Sequence, residues 1–134
     1  RMRIGALHLD IWFDNLHIDE DGKVTLFDFD FCGNGWLCHD MGYFLYQLLS
    51  TNPAPEDYRL KSESFLEGYK SIVPFSDEEQ RFMPYAALGV LLFYISMQCD
   101  RYDTWSNIFL NEDHLKRYCA SLKRWMAHNK IEVA

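Results

Sequence analysis

Residues 8 to 40 leave this chain few ways to fold. They run His8-Leu9-Asp10, then Asn15, then an alternating stretch, then Asp28-Phe29-Asp30 and His39-Asp40. Leu16 and Ile18 alternate with His17 and Asp19, and Val24, Leu26 and Asp28 alternate with Thr25, Phe27 and Phe29. A period of two marks strands with one covered face. Glu20-Asp21-Gly22 lies between the runs, and Asp-Gly suits a tight hairpin turn whose central residues take positive φ. The pattern predicts a β-hairpin over 16–29. It would bring Asn15, at the entrance of one strand, beside Asp28, at the exit of the other, although 13 positions separate them. Asp10, Asn15 and Asp28 then form one cluster of oxygen donors.

The flanking sequence supports that hairpin. Residues 3–7 read as an extended lead-in, and residues 8–15 as a structured loop plugged by Ile11, Trp12 and Phe13. Gly33-Asn34-Gly35 reads as a flexible turn. Asp40 precedes a helical run that Asn52-Pro53-Ala54-Pro55 ends. A second helix is expected from about Glu56 to Ile72, with Leu60, Phe65, Leu66, Tyr69 and Ile72 as its apolar stripe. Ser76 and Glu79 have capping-box spacing. The helix they open should run to about Gln98 or Arg101, with a kink or restart at Pro84. Asn111 to about Asn129 completes the set, with Leu115, Tyr118, Cys119, Leu122, Trp125 and Met126 facing inward. The fold class is α+β, mostly α: a catalytic loop and hairpin (1–40) covered by about four helices (41–134) in one domain.

Composition narrows the function. The 134 residues carry 49% apolar side chains, enough for a real core. A net charge of −7 argues against a nucleic-acid or anionic-membrane partner, which needs a basic face. The four cysteines form no C-x-x-C pair, so they read as reduced and mostly packed, in a cytoplasmic protein. The apolar run Tyr85 to Met97 is 13 residues, short of the roughly 20 that span a bilayer.

His8-x-Asp10-x-x-x-x-Asn15, followed after a hairpin by Asp28-Phe29-Asp30 and then Asp40, resembles the C-terminal lobe of the aminoglycoside phosphotransferase and choline kinase family. That family shares its architecture with protein kinases. The resemblance implies a protein-kinase-like C-terminal lobe that transfers the γ-phosphate of ATP or GTP, with Mg2+, to a hydroxyl of a small, amine-bearing acceptor. It implies Asp10 as the catalytic carboxylate, and Asn15 and Asp28 as the magnesium ligands. His8 would tie the catalytic loop to the strand bearing Asp28, Asp40 would accept backbone N–H groups, and Asp30 would support the site or meet substrate. Tyr94, Gln98 and Arg101 share one helix face, near Asp100, Asp103 and Trp105, where an amine could be received.

Some features depart from the pattern. Leu9 stands where the family has Gly. There is no glycine-rich loop and no early-strand lysine to hold nucleotide phosphates. With Arg1 opening the chain, the expectation is a fragment lacking its N-terminal lobe, silent alone, with an exposed apolar face inviting self-association. Plainer readings stand beside these. Asp10 and Asn15 are also common loop formers, Asp40 could be a helix N-cap, and the 94–101 face could be packed or solvated. Two other functions are a kinase-like scaffold without catalysis and, from His39-Asp40, an HD-type metal phosphohydrolase.

Overall fold

A computed structural model describes residues 1–52, 54–101, 103 and 110–132. Strand β1 (Ile4–Leu7) leads into the loop at His8, and a single 3-10 turn (Phe13–Asn15) opens onto β2 (Leu16–Ile18) and β3 (Val24–Leu26). Strand β4 (Gly33–Trp36) precedes helices α1 (Cys38–Thr51), α2 (Pro55–Ile72), α3 (Asp77–Asp100) and α4 (Glu112–His128). The chain divides into two compact units, Arg1–Ala87 and Leu88–Ala134, with α3 running from one into the other. The α+β, mainly helical architecture is the one expected.

The predicted hairpin forms, with Leu16 opposite Leu26 and Ile18 opposite Val24. Its turn is looser than a two-residue turn. Asp19 Oδ1 accepts from the amides of Asp21 and Lys23, and Gly22 takes the positive φ, at 79°. Glycine meets that conformation without a Cβ clash.

Gly33-Asn34-Gly35 is a strand, not a flexible turn. It pairs antiparallel with β1, Leu7 opposite Gly33 and Gly5 opposite Gly35. Gly35 serves close packing: a Cβ there would lie 2.9 Å from Leu7 Cδ1.

Helix α1 supplies much of the core. Cys38, Met41, Tyr43, Leu45, Tyr46, Leu48 and Leu49 are all buried. Gly42 lets α1 approach α3 closely, since a Cβ there would sit 2.5 Å from the Met83 carbonyl oxygen. Helix α2 opens with Pro55 in its first turn, where a missing N–H costs nothing. Its buried positions are Tyr58 and Ser62; of the expected stripe, Phe65, Leu66 and Tyr69 are half-buried, with Phe65 packed on Phe44, whereas Leu60 and Ile72 are 50% and 83% exposed. Helix α3 continues through Pro84 without a restart. Residues 82–99 carry no charge, so this helix is more extensively apolar than the 13-residue run suggested, and by length and composition it could cross a membrane. A buried core helix passes the same test; here Ala86, Ala87, Val90 and Leu91 are buried, whereas Tyr85, Leu92 and Phe93 are exposed.

In the second unit, the Asn111 side chain caps α4 by accepting from the His114 amide, and the Tyr118 hydroxyl donates to the Leu91 carbonyl at 2.6 Å. Trp125 is buried, whereas Leu115 and Cys119, expected inward, are exposed. The cysteines are free, but only Cys38 among them is buried; Cys32 lies between strands, and Cys99 and Cys119 are on outward helix positions.

The capping box forms as expected, Ser76 N donating to Glu79 Oε2 at 2.9 Å and Glu79 N to Ser76 Oγ at 3.2 Å. Glu79 has a second role that the sequence did not announce. Its Oε1 accepts from Arg3 N at 3.1 Å and Arg3 Nε at 2.8 Å, tying the entry of β1 to α3. Burial by itself pushes Glu79 up, but the Arg3 guanidinium and the amides of Ser76 and Arg3 outweigh it and hold its pKa at about 2. A folded-state pKa below the unfolded value stabilises the fold above the ordinary carboxylate range, and that stability is lost as pH falls toward about 2. Arg3→Met leaves Glu79 charged and buried, so urea unfolding at pH 7 should show a loss of about 3 kcal/mol or more. The deficit relative to wild type should shrink as pH falls from about 5 toward 2.

Candidate active site

The site is built on Asp40, in the first turn of α1 and not at its N-cap, which is Leu37. Asp40 Oδ2 accepts from His8 N at 2.8 Å and Oδ1 from Leu9 N at 2.7 Å. Hydrogen bonds to an ionised acceptor are roughly twice as strong as neutral ones. They hold Leu9 in the left-handed region, φ 63°, a conformation costing about 1–2 kcal/mol for a residue with a Cβ.

His8 makes the second joint. Its ring is buried, with Nε2 3.0 Å from the Phe27 carbonyl oxygen. Nδ1 accepts from Asp10 N at 3.3 Å, which leaves the ring proton on Nε2 to be donated to Phe27. The Phe29 ring packs on it at 4.7 Å. Phe27 N in turn donates to the Asn15 carbonyl at 3.1 Å, extending the hairpin ladder one step past β2 and β3. These bonds bring the entrance and exit of the hairpin together, as the sequence predicted. Asp28 follows at once, also left-handed at φ 63° and exposed to solvent.

Asp10 is held at both oxygens. Asn15 Nδ2 donates to Asp10 Oδ2 at 2.9 Å and to the Asp10 carbonyl at 3.0 Å, while the Tyr43 hydroxyl donates to Oδ1 at 3.2 Å. Sequence reasoning missed Tyr43, which offered itself only as one apolar position of the helical run after Asp40. Its signal was its spacing: it stands three residues after Asp40, on the same face of α1.

The donor chemistry suits magnesium. The Asn15 amide nitrogen is turned to Asp10, so its carbonyl oxygen faces away, and Asp28 adds a carboxylate. Among the described residues no group of three His, Cys, Asp or Glu side chains could hold a metal. Two hard oxygen ligands nevertheless suit an ion that retains waters and takes phosphate oxygens. Asp30 is exposed just beyond Asp28.

Residues 1–75, more than half of the chain, match the phosphotransferase enzyme family. The chain belongs to that family. Two relatives carry no described activity: an uncharacterized protein of Deinococcus radiodurans, 24% identical over 97 residues, and one of Synechocystis, 35% identical over 66 residues. The alignments cover 72% and 49% of this chain but only 28% and 17% of those proteins. No solved structure matches. The resemblance read from His8 to Asp40 and the family match therefore fall on the same part of this phosphotransferase-family chain.

Tyr94, Gln98 and Arg101 belong to the second unit. There Gln98 Oε1 lies 3.3 Å from His114 Nε2, and the Tyr94 ring packs edge-on against Phe93. Trp105 lies outside the described residues. His39 turns Nδ1 to the Trp36 carbonyl at 2.8 Å and stacks on the Trp36 ring. With Asp40 bound to backbone amides, the His39-Asp40 pair is engaged in holding the fold, which removes the motif that suggested a phosphohydrolase.

Replacing Asp40 with Ala removes both acceptors from the loop. Amide exchange at His8 and Leu9 should then accelerate at least tenfold relative to wild type, measured by hydrogen–deuterium exchange, with α4 amides unchanged.

Proposed function

We propose that this chain is the catalytic lobe of a small-molecule kinase, transferring the γ-phosphate of ATP or GTP to the hydroxyl of a small acceptor. The observation that carries the reading is the clamped cluster: Asp10 fixed by Asn15 and Tyr43, with Asp28 delivered beside Asn15 by the His8–Phe27 joint. Family membership supports it.

Asp10 orients the acceptor hydroxyl and takes its proton as the hydroxyl oxygen bonds to the γ-phosphorus and the bond to the nucleoside diphosphate breaks. Asn15 and Asp28 would hold Mg2+, which, when bound, neutralises charge on the phosphate oxygens. Positioning dominates such chemistry, because the reacting oxygen and phosphorus need only be held in line. The nucleotide's remaining contacts, which a glycine-rich loop and a lysine usually provide, are assigned to a further lobe of the full-length protein. The lengths of the relatives support this, as do the exposed Ile18, Val24, Leu26, Phe27 and Phe29 around the site. The isolated chain is accordingly expected to be silent and prone to self-association. Asp30 is the candidate for supporting the site or meeting the substrate, in a cytoplasmic enzyme.

The test is phosphoryl transfer by the full-length protein from Mg-ATP to amino alcohols, homoserine, choline and aminoglycosides. Asp10→Ala should lower the rate at least about a hundredfold. A full-length protein that neither binds Mg-ATP nor turns over any acceptor would instead be a scaffold.

A further inference from the structure

Resting on the kinase reading, we propose that Tyr43 is a positioning residue for the reaction: its hydroxyl fixes the plane in which the Asp10 carboxylate meets the acceptor.

Tyr43 is only 6% exposed. A buried tyrosine hydroxyl requires a polar partner, and this one donates to Asp10 Oδ1 at 3.2 Å. Phenylalanine could fill most of the same space, so packing alone does not call for the hydroxyl. Its position is set independently of the loop it reaches. It sits on α1, which is seated from behind where Gly42 meets Met83 and Ala87. One turn earlier on that face, Asp40 holds the amides of His8 and Leu9. The helix therefore grips the loop twice, by its backbone through Asp40 and by its reactive side chain through Tyr43.

The other carboxylate oxygen, Oδ2, is held by Asn15 from a different element. Two donors on two elements fix both oxygens, and with them the χ2 rotation of Asp10, which is otherwise broad. A carboxylate has about four lone-pair sites, so one on each oxygen remains to accept from a substrate hydroxyl. Setting this geometry before substrate arrives lowers the barrier without tightening ground-state binding.

The experiment compares Tyr43→Phe, Asp10→Ala and wild type as full-length proteins. Transfer from Mg-ATP to the acceptor panel, and hydrolysis of Mg-ATP by water, are measured along with thermal melting. For Tyr43→Phe we expect kcat to fall about tenfold with KM for ATP and acceptor within about twofold, and the melting temperature near that of wild type. Wild-type kcat in Tyr43→Phe, with Asp10→Ala inactive, overturns the positioning role and leaves the kinase reading standing. A kcat loss accompanied by matching KM and melting changes assigns Tyr43 to packing and also overturns it. Activity retained in Asp10→Ala, or none in wild type, overturns the kinase reading and the proposal together.

Discussion

Two backbone amides on one carboxylate organise this molecule. Without Asp40, the N–H groups of His8 and Leu9 would lose the carboxylate that accepts from both, at the point where Leu9 takes its left-handed conformation. With it, the chain reverses after β1, and His8 is presented to Phe27. Every later contact of the site follows from that reversal. The His8 ring sets where the hairpin ends, the hairpin end sets Asp28, and the hairpin start sets Asn15 against Asp10.

Asp40 can act this way only because its helix is itself well placed. Gly42 allows α1 to lie against the first turns of α3, and Glu79 on α3 holds Arg3 at the start of β1. β1 and the loop it leads to are therefore fixed at both ends, through Glu79 at one and Asp40 at the other. Both anchors are carboxylates accepting from backbone amides. Desolvating a charge is costly, but each carboxylate has enough donors to offset it, and Glu79 has a guanidinium as well. The candidate site is thus carried by a loop and two strand ends, while the rigidity comes from helices.

What could be read in advance was what is local or tied to a motif. Alternation and Asp21-Gly22 disclosed the hairpin, and its closure put Asn15 and Asp28 at one end without any long-range guess. The capping box disclosed the start of α3. What stayed hidden depends on packing between segments distant in sequence. Gly33 and Gly35 carry the composition of a turn, and it is pairing with β1, with the Leu7 side chain over Gly35, that makes them a strand. Arg3 and Glu79 are separated by 76 positions, and no periodicity links them. Tyr43 was legible as an apolar helix position but not as a hydrogen-bond donor, because nothing local shows where a buried hydroxyl points. The stripe of α2 held in part for a related reason: Phe65, Leu66 and Tyr69 are half-buried, but Leu60 and Ile72 are exposed and Tyr58 and Ser62 are the positions that became buried. The shared face of Tyr94, Gln98 and Arg101 drew on helical spacing alone, which places residues on a common side but gives no ligand.

The central claim is that Asn15 and Asp28, brought together by the hairpin, act as one metal–phosphate site beside Asp10. The most direct measurement replaces Mg2+ with Mn2+ in the full-length protein bound to a non-hydrolysable ATP analogue and follows paramagnetic broadening of residue-assigned NMR signals. The account predicts that the Asn15 side-chain amide and the Asp28 backbone amide broaden together, at the same metal concentration. Broadening at neither residue, or at one without the other, would contradict it.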